Sequence, residues 1–564
     1  MRRVFFLASL IGLAVAATVA AKNVNDPSSG SLPEAAQAAM KKIDAERIRA
    51  HVKFLSDDLL EGRGTGQRGG DIAAAYMATQ FELYGLKPAG DNGTYFQRVP
   101  MVGMTLLPGS STFAIVPQTG APMSLKYAEQ IVGTDETQEP ADDIDAQIVY
   151  VGYGIEAPEY KWDDYKGMDV HGKVLLMLVN EPPSDDPNFF KGKALTFYGR
   201  WVYKYAEAAR KGAVGVMLIH KTEMASYGWD VVRNSWAGEN SSVQREGPAL
   251  KIASWVPLDV ARQMARASGK DLDQMMEQAN SRDFQPVALP LRLKAHIANK
   301  VRRLESNNVL AELPGSDPNL RAQAVVYSAH YDHLGIQPDK AGDNIYNGAD
   351  DNATGCGILL ELARAYATAS ERPKRSILFA AVTAEEQGLR GSEYLGKHPP
   401  IPAGKIALDL NFDDVKPWGT PEEVEVTGAE RTTFYPVVEA TAREFDLRIK
   451  PEANPGAGHY YRSDHFSLAR VGVPSFSINE GLKFKGHTTE WGSQKDQEYT
   501  ANNYHQPSDE YHPDMDFTGD AVMARFGFAL GWKAASGPQL VQWKPGDEFE
   551  AARKHSEQGA SRGR

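Results

Sequence analysis

Acidic and histidine residues gather at the ends of apolar runs in the second half of this 564-residue chain. AVVYSA is followed by His330, Tyr331, Asp332 and His333. SILFAAVTA is followed by Glu385 and Glu386, and IALDLNF by Asp413 and Asp414. NGADDNATG places Asp350 and Asp351 just ahead of a helical pattern. The apolar runs read as strands of a mostly parallel sheet, and in open α/β sheets active sites form beyond the carboxyl ends of the strands. All four groups therefore fall at one sheet edge. Imidazole nitrogen and carboxylate oxygen are zinc ligands, at about 2.0–2.2 Å. Two ions about 3.5–4 Å apart need a carboxylate between them. Carboxylates packed without cations repel, so the set needs positive charge at its centre. Any one of these residues alone reads as a hydrated loop acid; the set points to metal.

The elements that must hold these residues alternate strand and helix from Val301 onward. GILLELARAYATA, RTTFYPVVEATAREFD and AVMARFGFALGWKAA carry helical patterns between strands rich in Val, Ile, Leu, Phe and Ala. The fold class is α/β, a mostly parallel central sheet flanked by helices. Two amphipathic helical runs, IRAHVKFLSDDL and GGDIAAAYMATQFELYGL, precede it. Between them and the catalytic strands lie the short strand-like runs AQIVYVGYGI, GKVLLMLVN and VGVMLIH and one clear helix, YGRWVYKYAEAARKGA. This stretch looks inserted and holds no cluster of metal-type ligands; His171 and His220 stand apart. It is expected to act as a partial lid limiting entry to the site. The expected divisions are 22–121, an insertion at 122–298, 299–546, and a polar, disordered tail at 547–564.

Composition narrows the class. With 42% hydrophobic and 24% charged residues the chain is that of a globular protein, and a formal charge of -12 argues against nucleic acid as a partner. Arg2 and Arg3, an apolar run from Val4 to Ala17 and the small residues Val19-Ala20-Ala21 form the pattern of a signal peptide over 1–21. A secreted or periplasmic location is expected. No other stretch is long and apolar enough to span a membrane, so no stable anchor is expected. The lone Cys356 leaves no internal disulfide, which fits a bacterial secreted enzyme better than an animal one.

AHYDHLG, NGADDNATG, FAAVTAEEQGLRGS, LNFDDV and YHQPSDEY, in this order, resemble the di-zinc exopeptidase family of secreted bacterial aminopeptidases and glutamate carboxypeptidases. The likeness covers about residues 44–120 and 300–535, and the insertion resembles a β-rich protease-associated domain. The resemblance implies two zinc ions per chain and peptide substrates. It implies His330, Asp351, Glu386, Asp413 and His505 as ligands, Asp351 bridging, with the pairing of the others left open. Asp351 is selected over Asp350 because it stands four residues before Gly355. Asp332 is implied to orient His330, and Glu385 to act as general base that takes a proton from water and passes it to the leaving amine. Tyr504 is implied to help stabilise the oxyanion. His505 is favoured over His487, whose neighbours Lys483 and Lys485 oppose a cation, and Asp509 and Glu510 are expected to orient it. Asp414 stands where many relatives carry Met or Ser and is expected to favour a substrate ammonium group. There is no GxSxG elbow and no HExxH, so neither a serine hydrolase nor a zincin is supported. An aminopeptidase is the leading expectation. A carboxypeptidase or dipeptidase would need cations for the substrate carboxylate; a glutaminyl cyclase-like or non-catalytic member would not need the full ligand set.

Overall fold

The structure, a computed structural model, is described for residues 31–225, 228–337, 342–452 and 454–562. The expected leader at 1–21 lies outside the described residues. The part of the sheet that carries the clustered acids and histidines contains β1 (Phe96–Leu106), β2 (Val287–Leu313), β3 (Ala324–His330), β4 (Ser376–Val382), β5 (Ile406–Asn411) and β6 (Ser475–Ser477), with the short strands Lys87–Pro88 and Asn240–Val243 along its margin. Their order is β6-β5-β3-β4-β2-β1; β6, β5, β3 and β4 run parallel, and β2 and β1 add an antiparallel margin. Every residue of β3, β4 and β5 is buried. That is why these strands read as unbroken apolar runs: helices cover both sheet faces, leaving no solvent side to demand alternation. The helix α1 (Thr354–Ala367) lies on one face, nearly all of it buried, and the short helix α2 (Arg390–Lys397) follows β4. Among the described residues no helix is long and apolar enough to cross a membrane.

The inserted region has its own core. Strands Ala141–Tyr150, Val174–Leu178, Gly215–His220 and Ile252–Pro257 pair in parallel, and helices Trp201–Arg210 and Leu258–Ala267 pack about them. It is therefore as much α/β as β-rich. The division expected at 298/299 falls inside β2, a single strand of 27 residues. Its first part pairs with Thr112–Pro117 and Ala141–Tyr150, its second with β1 and β4. On the other side the crossing comes at residues 107–111, not 121/122, because Thr112–Pro117 already belongs to the inserted sheet.

The tail also departs from expectation. Residues Glu550–Arg562 form a helix, and the segment before it is pinned by charge. The guanidinium of Arg431, 9% exposed, forms a bidentate pair with Asp547 at 2.8 and 2.9 Å and also meets Glu548. Buried Arg553 donates to the carbonyls of Ile406 and Val541, at 2.9 and 3.2 Å. Charges that look solvated in sequence are paired and enclosed here. Removing one side of a buried pair typically costs about 3–5 kcal/mol. A chain ending at Lys544 leaves Arg431 without its carboxylates and is expected to lose stability of that order in a urea melt. An unchanged midpoint would show the tail to be unneeded.

Candidate metal centre

The carboxyl ends of β3, β4 and β5 bring the expected residues together. His330 closes β3, Glu385 and Glu386 follow β4, and Asp413 follows β5. Asp351 sits in the turn before α1. Its two oxygens face different ways: Oδ1 lies 3.3 Å from His330 Nε2, and Oδ2 lies 3.3 Å from His505 Nε2. On the first side Asp413 Oδ1 is 3.1 Å from His330 Nε2. On the second, Glu386 Oε2 is 3.1 Å from His505 Nε2. In this geometry His330 stands with Asp413, and His505 with Glu386, with Asp351 next to both. His330, Asp351 and Asp413 offer ligand atoms that all lie within 4.8 Å of one another, and so do His333, Asp351 and Glu386.

His333 is the residue that sequence reasoning passed over. It is buried, its Nδ1 lies 2.7 Å from Glu386 Oε1 and 3.9 Å from Asp351 Oδ2, and its Nε2 has no hydrogen-bond partner. The available signal was its place three residues after His330, at the same strand end.

Backbone geometry aims these side chains. Ala384, Asp414 and His505 have φ of 56°, 69° and 57°, the left-handed region that non-glycine residues seldom adopt. Each adjoins or is a candidate site residue, a place where local strain is commonly held by its surroundings. The turn bearing Asp351 is fixed from two sides. Arg63, fully buried, donates to the carbonyls of Leu55, Tyr331, Asn347 and Gly348 at 2.5 to 2.8 Å. Asp509 accepts the N–H groups of Asp350 and Asp351 at 3.0 and 3.1 Å. Asp509 was expected to orient His505; it holds the Asp351 turn instead, and Glu510 is exposed.

Two other expectations change in detail. Asp332 does lie beside His330, but its carboxylate is 3.9 Å from Nδ1, whereas its main-chain oxygen is at 3.2 Å. The carboxylate instead accepts the Glu385 N–H at 3.1 Å and the Thr65 hydroxyl at 2.9 Å. It therefore positions Glu385. Asp414 is ion-paired with Lys416, whose ammonium lies 3.6 Å from the Tyr499 ring centroid, so its charge is already met and is not left for a substrate. Ser463 donates to Asp413 Oδ2 at 2.5 Å. Tyr504 is 44% exposed and stacks on His505, ring centroids 3.9 Å apart. His487 stacks on Trp491, centroids 3.8 Å apart, and among the described residues no hydrogen bond or ion pair joins its ring to the site residues.

The electrostatics test whether the donor set suits a metal. Burial opposes charge on His330, but Asp413 and Asp351 more than offset it and raise the imidazole well above its usual range. His505, also opposed by burial, is raised to about 10 by Asp351 and Glu386. Burial raises Asp351, yet the surrounding imidazoles hold it well below the usual carboxylate range. Glu385 is raised well above the usual range by burial and by the charges of Glu386, Asp413 and Asp464, with His330 opposing. The cluster thus demands positive charge, and its nitrogen and oxygen donors fit zinc.

These features define an α/β protein with two His–carboxylate groups sharing one carboxylate at the C-terminal edge of its sheet. Residues 308–524 match the model of Peptidase family M28. The probable leucine aminopeptidase 2 of Aspergillus oryzae is 25% identical over 470 residues, 80% of this chain and 79% of the relative. Leupeptin-inactivating enzyme 1 of Streptomyces exfoliatus is 28% identical over 250 residues, 43% of this chain and 51% of the relative, so the match spans about half of that enzyme. A probable zinc metalloprotease of Pyrenophora teres f. teres is 38% identical over 115 residues, 19% of this chain and 22% of the relative. Among solved structures, the aminopeptidase from Aneurinibacillus sp. strain AM-1 is 18% identical with a TM-score of 0.45, covering 90% of this chain and 96% of that one.

Replacing His333 with Ala is expected to weaken zinc binding about 10–100-fold, the usual cost of losing a group that orients a ligand. His505→Ala should cost at least as much, and His487→Ala should keep the metal. Competition against a chelator measures all three; unchanged affinity in His333→Ala would assign that residue to packing alone.

Proposed function

We propose that this protein is a secreted exopeptidase, an aminopeptidase that removes N-terminal residues from peptides with two zinc ions bound. The observation that carries the reading is the division of Asp351, one oxygen toward His330 and Asp413, the other toward His505 and Glu386. Zinc held by these residues would lower the pKa of a water and polarise a peptide carbonyl. The family match over 308–524 and relatives named as aminopeptidases support peptides as the substrate class. The leader pattern at 1–21 supports export.

The chain's own part in the chemistry is proton handling and orientation. Glu385 stands beside both groups without being required by either. Its main chain is fixed through the Asp332 carboxylate. Burial and neighbouring negative charge raise the basicity of its carboxyl, which suits a group that accepts a proton from water and returns it to a leaving amine. Tyr504, stacked on His505 and partly exposed, is placed to offer its hydroxyl to an oxygen that gains charge.

Chelation is expected to abolish peptide hydrolysis and added zinc to restore it; full activity at nil metal content would overturn the reading. Glu385→Gln is expected to keep its zinc and lose about 10²–10⁴-fold in kcat. If Glu385→Gln lost a metal ion and Glu386→Gln did not, the two roles would be reversed.

A further inference from the structure

A cleft of about 500 Å³ lies between the inserted region and α2, and its wall includes Gln387 and Gly388. It starts next to the catalytic base: the Gly388 N–H donates to the Glu385 carbonyl at 2.7 Å. Gly388 has φ +94°, and a Cβ there would stand 3.2 Å from the Arg390 guanidinium, so the absence of a side chain leaves that cation open. The volume suits a small ligand or a few residues of peptide.

The charge along this cleft does not balance. Arg390 Nη1 and Lys397 Nζ both reach the Glu393 carboxylate, at 3.2 and 2.7 Å. Arg470 lines the same cleft. Its guanidinium lies 5.7 and 5.8 Å from the ring centroids of Phe197 and Phe466, and among the described residues no carboxylate lies within 4.0 Å of it. Burial lowers its pKa, with Glu393 opposing and Arg390 adding to the fall. Glu393, though raised by burial, is held down to about 2 by Arg390, Lys397 and Arg470. Arg390, whose Nε also donates to the carbonyls of Ser241 and Gln387, the half-exposed Lys397 and Arg470 thus share one acid. A guanidinium with open N–H donors in such a place is suited to bidentate capture of a carboxylate. The other acids of the cleft are engaged elsewhere or at its rim: Asp135 accepts from Thr137 and Asn299, Glu136 pairs with Arg245 at 3.0 Å, and Glu246 is 70% exposed and lies 3.6 Å from His398.

We propose that this cleft is a subsite for a substrate carboxylate on the leaving side of the scissile bond, with Arg470 as its main recognition group and Arg390 and Lys397 as supporting charge. The proposal rests on the exopeptidase reading and narrows it to short peptides with a free C-terminus or an acidic residue just beyond the cleaved bond. In an aminopeptidase everything past the bond lies on the leaving side, so the C-terminal carboxylate of a dipeptide or tripeptide would come to this wall.

Calorimetric titration of the full-length, zinc-loaded Glu385→Gln protein tests the subsite without turnover. The probes are Leu-Ala-Ala as the free acid, the same peptide as its C-terminal amide, and Leu-Glu-Ala amide. The free acid is expected to bind about tenfold tighter than the amide, the scale of one charge-assisted hydrogen-bonded contact. The glutamyl amide distinguishes a side-chain carboxylate from the terminal one. Adding Arg470→Met should bring the acid-to-amide ratio close to one. Lys397→Met, on the more exposed rim, should reduce the ratio and serves if Arg470→Met does not fold. Equal affinity for all three peptides, or a ratio untouched in both variants, would overturn the subsite. Hydrolysis of the same peptides by the unsubstituted zinc enzyme reports separately on the exopeptidase reading.

Discussion

Everything at the centre depends on one carboxylate being held with its two oxygens pointing apart. The two oxygens of a carboxylate always diverge, so what the chain must fix is where the group stands, and the main chain of the turn that carries Asp351 is gripped by opposite charges on opposite sides. Arg63 takes carbonyl oxygens of Asn347 and Gly348, and Asp509 takes N–H groups of Asp350 and Asp351. The same guanidinium also ties down the carbonyls of Leu55 and Tyr331, so one buried cation links the N-terminal helices, the end of β3 and the bridging turn. A buried charge is costly unless its donors are satisfied, and here main-chain dipoles satisfy it.

The parts of the site that sequence revealed share a property: they are side chains that act directly, placed where strands end. His330, Glu385, Glu386 and Asp413 could be located because burial on both faces makes β3, β4 and β5 continuous apolar runs, and whatever follows such a run stands at the sheet edge. Asp351 and His505 came from motif likeness, since neither follows a central strand. Arg63 and Ser463 were not legible as positioning groups, and Asp509 was read as one for His505 and not for the Asp351 turn. They work through main-chain contacts or through a second side chain far away in sequence, and nothing in local pattern marks such a partnership. His333 was visible but unassigned, because a histidine beside a buried aspartate has several structural uses.

The fold was legible in type and less so in its divisions. Helix–strand alternation identified the α/β core, whereas the domain border was misplaced for a physical reason. Along β2 the burial alternation breaks only over the polar stretch at Asn299, Lys300, Arg302 and Arg303, where the strand passes from one sheet to the other without a turn, so the change lies inside one continuous strand. The tail was misjudged because charge in sequence does not distinguish solvated from paired. Asp547 and Glu548 look like surface residues until Arg431 is placed against them.

The strand that joins the two sheets has a mechanical meaning. A module attached by loops can swing on a few backbone torsions, as most mobile lids do. Here one of the two connections is a pleated ribbon of 27 residues, hydrogen-bonded to neighbours through both bodies. Such a connection behaves as a beam and not as a joint: it resists rotation about its long axis and stores any displacement as bend or twist shared over many residues. The cleft between inserted region and catalytic sheet is thus bounded by a spring with a defined rest position, and its width is set by sheet curvature.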